Sequence, residues 1–186
     1  MSGKLIVICA PSGTGKSTLI NRLKADMPEL RWSVSSTSRK MRDGEIHGKD
    51  YYFITVQEFE KQIAEHLFIE WFRVHTDYKG TSRVFVDEGL AEGVNMLFDV
   101  DVQGADALKR LYGDQAKVIF IEPPSMEELE KRLRSRKTDT EEQIQIRIEN
   151  AKKELLRKND YDYLIMNDNV EEAYKKFKEA VERIIS

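Results

Sequence analysis

The segment Ala10-Pro-Ser-Gly-Thr-Gly-Lys-Ser17 decides the architecture of this chain, because of what stands on either side of it. Before it runs the apolar stretch Leu5-Ile-Val-Ile-Cys9, and after it the helical pattern Thr18-Leu-Ile-Asn-Arg-Leu-Lys24. Strand, glycine loop and helix in that order form a P-loop, whose backbone N–H groups and helix N-terminus cradle an anion. Pro11, Ser12, Gly13, Thr14, Gly15, Lys16, Ser17 and Thr18 are therefore the expected contacts of a nucleoside triphosphate. Lys16 is expected to reach the β- and γ-phosphates, and the Ser17 hydroxyl to hold Mg²⁺. Ala10 stands where the general pattern has its first glycine. That exchange is mild, since alanine fits any negative-φ position while Gly13 and Gly15 keep their freedom.

Composition limits the partners. The 186 residues carry 30 Lys and Arg against 33 Asp and Glu, a net charge of −3, so no chain-wide grip on nucleic acid or an anionic membrane is expected. Any cationic cluster must be a local site. The single cysteine, Cys9, lies in the first apolar run and excludes an internal disulfide; it reads as a small buried hydrophobe in a reducing compartment. Met1-Ser-Gly-Lys4 lacks a signal-type apolar region, and no run approaches the ~18 apolar residues of a membrane span. A cytoplasmic protein is expected, and a homodimer is compatible with the sequence.

Strand-length apolar runs occur at Leu5–Cys9, Met96–Val100, Val118–Ile121 and Tyr163–Ile165, with helical periodicity between them. That alternation predicts an α/β fold, a parallel sheet with helices on both faces. Capping boxes mark helix starts at Thr55 with Glu58, Ser125 with Glu128 and Thr140 with Gln143. After Thr140, Ile144, Ile148, Ala151 and Leu155 share one stripe. Two stretches break the alternation. Between 33 and 82 short strands are expected at Trp32–Ser36, Tyr51–Thr55, Leu67–Phe72 and Tyr78–Ser82, forming a small β-rich insertion. The segment Arg132 to Arg147, dense in arginine, reads as a polar loop joining two helices and a candidate mobile lid.

Arg39 and Arg42 lie three apart in an otherwise polar stretch, with Tyr51 close by in sequence. Two guanidinium forks and a phenol suit a phosphate monoester, although an arginine pair in a loop is equally at home in solvent. Glu70, read without context, is an outward residue of the strand Phe68-Ile-Glu-Trp71. Asp99 and Asp101, two apart at the end of a parallel strand, are expected on one face where α/β folds place ligands.

The motifs APSGTGKST, SVSSTSR..R.GE..GKDYYF, FIEW, YKGTS, LFDVDVQGA, IFIEPPS, RLRSR and IMNDN follow one another along essentially the whole chain. In that order they resemble the guanylate kinases, nucleoside monophosphate kinases that phosphorylate GMP with ATP and Mg²⁺. The resemblance implies a P-loop kinase core at about 1–32, 83–126 and 148–186, a GMP-binding insertion at about 33–82 and an Arg-rich lid at about 127–147. It implies that Arg39, Arg42 and Tyr51 hold the GMP phosphate with Glu45 close by, and that Ser35, Glu70, Thr81 and Asp101 read guanine, beside Gly80. A carboxylate at 70 suits the N1–H and N2–H donors of guanine, and hydroxyls at 35 and 81 suit O6. Adenine would leave that carboxylate unpaired, a discrimination on the order of 10⁴. Lys16, Arg132, Arg136 and Arg147 are the implied catalytic residues. Asp99 and Ser17 are implied at the metal, and Asn167 and Asp168 near the adenine of ATP.

Two departures stand out. Lys79 occupies the position where the family has a tyrosine touching the GMP phosphate, and Lys137 follows Arg136 where glycine is common. A lysine could replace the phenol by an ammonium–phosphate contact, or point to solvent. His47, His66 and His75 show no metal-ligand spacing. The competing reading is a catalytically inactive interaction domain of the same family. Such domains commonly degrade the P-loop, whereas Lys16 and Ser17 are kept here. GTPases are disfavoured by the lack of an Asn-Lys-x-Asp segment.

Overall fold

The computed structural model describes residues 3–74, 76–135 and 140–186. A five-stranded parallel sheet has the order β2-β7-β1-β8-β9, with β1 (Leu5–Cys9) at its centre. Its neighbours are β7 (Met96–Asp99) and β8 (Ala116–Glu122), flanked by β2 (Arg31–Trp32) and β9 (Tyr163–Met166). Each residue of β1 is fully buried, as a strand covered on both faces requires. Ile6, Ile8, Ile119 and Ile121 face α1 (Lys16–Asp26) and α7 (Val170–Ile185). Leu5, Val7, Phe98 and Phe120 face the opposite way, toward α3 (Arg83–Ala91) and α4 (Val102–Tyr112). The period-2 alternation thus sorts one apolar run into two cores.

The insertion forms a second, four-stranded sheet in the order β4-β3-β6-β5. It comprises β3 (Ser36–Thr37), β4 (Tyr52–Phe53), β5 (Phe68–Val74) and β6 (Asp77–Ser82), with α2 (Val56–Ala64) on one side. Phe59 of α2 is fully buried and stacks on Phe68 at 4.3 Å and Tyr78 at 5.2 Å, closing that small core.

Three expectations need correction. The single strand expected at Trp32–Ser36 is two: Trp32 pairs with Leu97 in the large sheet, while Ser36 pairs with Tyr52 and Gly80 in the small one. Local propensity sees extended backbone but not the sheet that claims it. The lid segment expected as a loop is mostly helical. α5 (Met126–Ser135) and α6 (Glu141–Leu155) form a hairpin in which Leu129 and Leu133 pack with Ile144, Ile148 and Ala151. Arg132 is therefore a helix residue, and Arg147 lies on the helix expected after Thr140. Finally, Ser125 Oγ accepts the Glu128 N–H at 3.2 Å, but Glu128 turns its carboxylate to Arg132 Nε at 3.1 Å instead of completing the box. Thr55 and Thr140 do carry complete capping boxes.

Phe177 of α7 is fully buried in the core beneath Ile6 and Ile121. Phe177→Ala is expected to lower stability by about 3–5 kcal/mol. Urea denaturation checks it, the midpoint falling while the slope stays fixed.

Candidate active site

β1 delivers the chain into the P-loop, where Gly13 and Gly15 adopt φ of 94° and 87°. Only glycine takes these values without strain, and space forbids a side chain as well. A Cβ on Gly15 would fall 2.5 Å from Asn167 Nδ2, and one on Gly13 3.0 Å from Leu133 Cδ2. Gly15 is the N-cap of α1, with no side-chain cap and no acidic residue in the first turn. By contrast α2, α6 and α7 are capped by side chains and begin with glutamates. The α1 N-terminus is left to an anion from outside the chain.

Lys16 pairs with Asp99 at the end of β7 and donates to the Val100 carbonyl at 3.0 Å. Ser17 is exposed beside it. A hydroxyl and one carboxylate, both hard oxygens, fit Mg²⁺, which is held by few protein groups and keeps waters and phosphate oxygens for the rest. Arg132 donates from Nη1 to the carbonyls of Thr14 at 3.4 Å and Asn167 at 3.1 Å. Arg147 donates to Ser12 Oγ at 3.2 Å. Arg136 and Lys137 lie outside the described residues.

Asn167, expected near adenine, has another task here. It is 2% exposed, and its Nδ2 donates to the Thr14 carbonyl at 2.7 Å. The carboxamide is spent inside the protein on the shape of the P-loop. Asp168 is exposed ahead of α7, whose cap is Asn169. Within the P-loop, the Thr14 hydroxyl is buried with no hydrogen-bond partner among the described residues.

Across the cleft, Lys16 and Asp99 share a cavity of about 280 Å³ with Ser35, Glu70, Thr81 and Asp101. Glu70 arrives there through an irregularity in β5, where the pairing with β6 shifts register between Phe68 and Glu70. Such a bulge re-aims a side chain, which is why an alternation count reads Glu70 as outward. Burial and the nearby Asp101 carboxylate push the Glu70 carboxyl above its usual range, while the Thr81 hydrogen bond at 3.2 Å and Lys79 pull it back. Gly80 lets the strands close: a Cβ there would lie 2.8 Å from the Glu70 carbonyl oxygen. Asp101 is not a strand residue as expected. β7 stops at Asp99, and Asp101 caps α4, its Oδ1 accepting the Gly104 N–H at 2.8 Å.

A second cavity of about 250 Å³ adjoins the first through Lys79 and is lined by Arg39, Arg42, Tyr51 and Asp77. Glu45 organises it from outside. It takes Arg39 in two hydrogen bonds of 2.7 and 2.5 Å and the Arg42 N–H at 2.8 Å. Those contacts, Arg39 first, hold its carboxyl down at about 2. Sequence reasoning missed three residues in or beside the site. They are Asp77; Gly104, against the Glu70 carboxylate; and Glu154 of α6, half-buried, its carboxyl raised by burial and Asp101. Gly104 falls within the motif LFDVDVQGA without a role there, and no spacing pattern marks Asp77 or Glu154.

Gly15→Ala is expected to weaken triphosphate binding at least about tenfold, because left-handed strain of ~1–2 kcal/mol adds to the displacement of Asn167. Calorimetric titration with a non-hydrolysable triphosphate reads the change, and undiminished affinity would contradict the brace described here.

Known proteins share the sequence and fold of this chain. A family model described as guanylate kinase matches residues 2–184. The guanylate kinase of Sulfurimonas denitrificans is 44% identical over 174 residues, covering 94% of this chain and 84% of its own. That of Nitratidesulfovibrio vulgaris is 46% identical over 179 residues, covering 96% and 86%. Among solved structures, the guanylate kinase from Anaplasma phagocytophilum matches with a TM-score of 0.70 at 30% identity, covering 98% of this chain and 86% of that one. On sequence and fold together, the chain belongs to the guanylate kinase family.

Proposed function

We infer that this chain transfers the γ-phosphoryl of ATP to GMP, and to dGMP, through the residues gathered along the cleft. The observation that carries the reading is the single cavity shared by the P-loop lysine, Lys16, and the acidic pocket of Glu70 and Asp101, with the arginine pocket on the other side of Lys79, which lines both. One end suits a nucleobase with two adjacent donors, the other a phosphate monoester.

Glu70 accepts from N1–H and N2–H of guanine. Thr81 spends its one proton on Glu70, so the donor to O6 is Ser35. Asp101 Oδ1 is committed to Gly104, leaving Oδ2 for the exocyclic amine. Arg39, Arg42, Tyr51 and Lys79 clamp the monophosphate, with Glu45 fixing the two arginines. The P-loop orients ATP, and Ser17 and Asp99 would hold Mg²⁺, which would supply charge neutralisation. Phosphoryl transfer passes through a loose transition state in which alignment and charge stabilisation dominate. Lys16 therefore moves from Asp99 onto the phosphates, and Arg132 and Arg147, already against the P-loop, share their guanidinium protons with the transferring group. Arg136 joins them on the family resemblance alone. Closure of the α5–α6 hairpin and of the small sheet over both nucleotides excludes water. Lone, buried Cys9 suits a reducing compartment, and the cytoplasm is the proposed site of action.

A coupled assay of ADP release tests the reading: GMP is expected to support turnover and AMP and UMP to be poorer by about 10⁴ in kcat/KM. An absence of GMP-dependent ADP would leave the inactive interaction domain as the better account. Because Glu70 must be ionised to accept both protons and its carboxyl is raised, kcat/KM for GMP should fall with decreasing pH earlier than an ordinary glutamate would impose. Glu70→Gln should lack that limb and retain only the ionisation of GMP itself. Lys79→Ala is expected to raise the KM for GMP about tenfold, the loss of one charge-assisted hydrogen bond. An unchanged KM would make the lysine a bystander.

A further inference from the structure

Glycine is among the poorest residues for a helix interior, yet Gly104 stands in the first turn of α4, where neither a positive φ nor a turn requires it. What requires it is a neighbour. The three atoms nearest to a Cβ built at this position all belong to the Glu70 carboxylate, with the carboxyl carbon at 2.8 Å and Oε1 at 2.9 Å. Real Cβ atoms do not approach so closely, so any side chain at 104 must push the carboxylate away. The contact spans the two sheets' territories, since Glu70 sits on β5 of the small sheet and Gly104 on α4 of the core.

We propose that Gly104 is a positioning residue for guanine recognition: its missing side chain is the seat into which the Glu70 carboxylate drops. Thr81 Oγ1 holds that carboxylate at 3.2 Å from one side, and the bare first turn of α4 receives it on the other. The seat sets the distance between the acceptor pair and the purine edge. It also keeps Glu70 beside Asp101, whose Oδ1 is anchored by the Gly104 N–H at 2.8 Å. One backbone position thereby fixes both acidic residues, one by its N–H and one by the absence of its side chain. Alanine at 104 keeps the N–H and improves helix propensity, so its effect on activity is not one of lost structure. This inference rests on the assignment of Glu70 to guanine.

The test compares GMP with IMP, which lacks the N2 amine and so asks less of the carboxylate. Gly104→Ala is expected to lower kcat/KM for GMP at least about thirtyfold and that for IMP much less, collapsing the GMP/IMP ratio while the KM for ATP holds. In a Glu70→Gln background, Gly104→Ala should add less than about threefold, because both changes strike one interaction. Adding Glu70→Asp to Gly104→Ala shortens the acid by one methylene, relieves the clash and should recover part of the ratio. A Gly104→Ala enzyme with the parent GMP/IMP ratio, or one that loses both substrates equally without recovery by Glu70→Asp, overturns the proposal. If Glu70→Gln itself leaves the ratio intact, the guanine assignment falls first and this inference with it.

Discussion

The carbonyl oxygen of Thr14 is where this molecule is tied together. A P-loop can offer N–H groups to phosphates only if its carbonyls are satisfied elsewhere, since buried backbone acceptors need partners. Here the partners come from far along the chain: Asn167 Nδ2 at 2.7 Å, from the turn after β9, and Arg132 Nη1 at 3.4 Å, from α5. Arg132 also takes the Asn167 carbonyl at 3.1 Å, and the Asn167 N–H returns to the Glu122 carbonyl at 2.8 Å at the end of β8. The loop shape is thus held by three other elements, and the lid hairpin is bound to the triphosphate site even in this state. Any movement of α5 that frees Arg132 for a phosphate also releases one donor from the loop. Asn167 keeps the other.

The same logic runs through the opposite half of the cleft. Arg39 lies over the Tyr51 and Phe53 rings and donates to the Lys40 carbonyl, and Glu45 adds the charged partner, gripping its fork and the Arg42 backbone at once. With its carboxyl held at about 2, Glu45 stays charged at any physiological pH. The sign is plain. A depressed carboxyl stabilises the folded loop above its ordinary titration range and gives up that support only as pH falls toward 2. The arginine pair is therefore pre-oriented by an anion, which on the proposed function an incoming phosphate would have to rival, favouring a doubly charged monoester over weaker anions.

How far the sequence carries these conclusions depends on the range of the interaction involved. Strand–loop–helix signals are local, so β1, the P-loop and the core strands β7, β8 and β9 follow from pattern alone, as do the capping boxes at Thr55 and Thr140. Family motifs bring Arg39, Tyr51, Glu70 and Asp101 into view, and the two adjoining cavities gather them. Pattern fails where a residue's role is assigned by something distant. Trp32 and Ser36 look like one strand until two sheets claim them separately. Asp101 continues an alternation on paper, but its carboxylate finds the Gly104 N–H and starts a helix. Asn167 sits in a polar stretch that suggests solvent or ligand, and is instead 2% exposed beneath the P-loop. Beside the arginine-dense segment the stripe of Ile144, Ile148 and Ala151 is legible, but its partners Leu129 and Leu133 are identified only when α5 and α6 are paired.

Lys79 shows how one departure from the family pattern acts on two subsites. Its ammonium stands 5.4 Å over the Tyr51 ring in the phosphate pocket and also borders the purine pocket. A tyrosine there could donate to a phosphate but would carry no charge. The lysine lowers the proton affinity of Glu70, against burial and Asp101, which raise it. A carboxylate that must be ionised to accept two protons from guanine gains from a nearby cation. Asp77, two residues earlier on β6 and hence on the same face, lines the phosphate pocket with it and offsets part of its charge there. The exchange of phenol for ammonium therefore need not over-tighten the product's phosphate. On the proposed function it shifts electrostatic support toward the base, and recognition of the purine and of its phosphate would be coupled through one side chain.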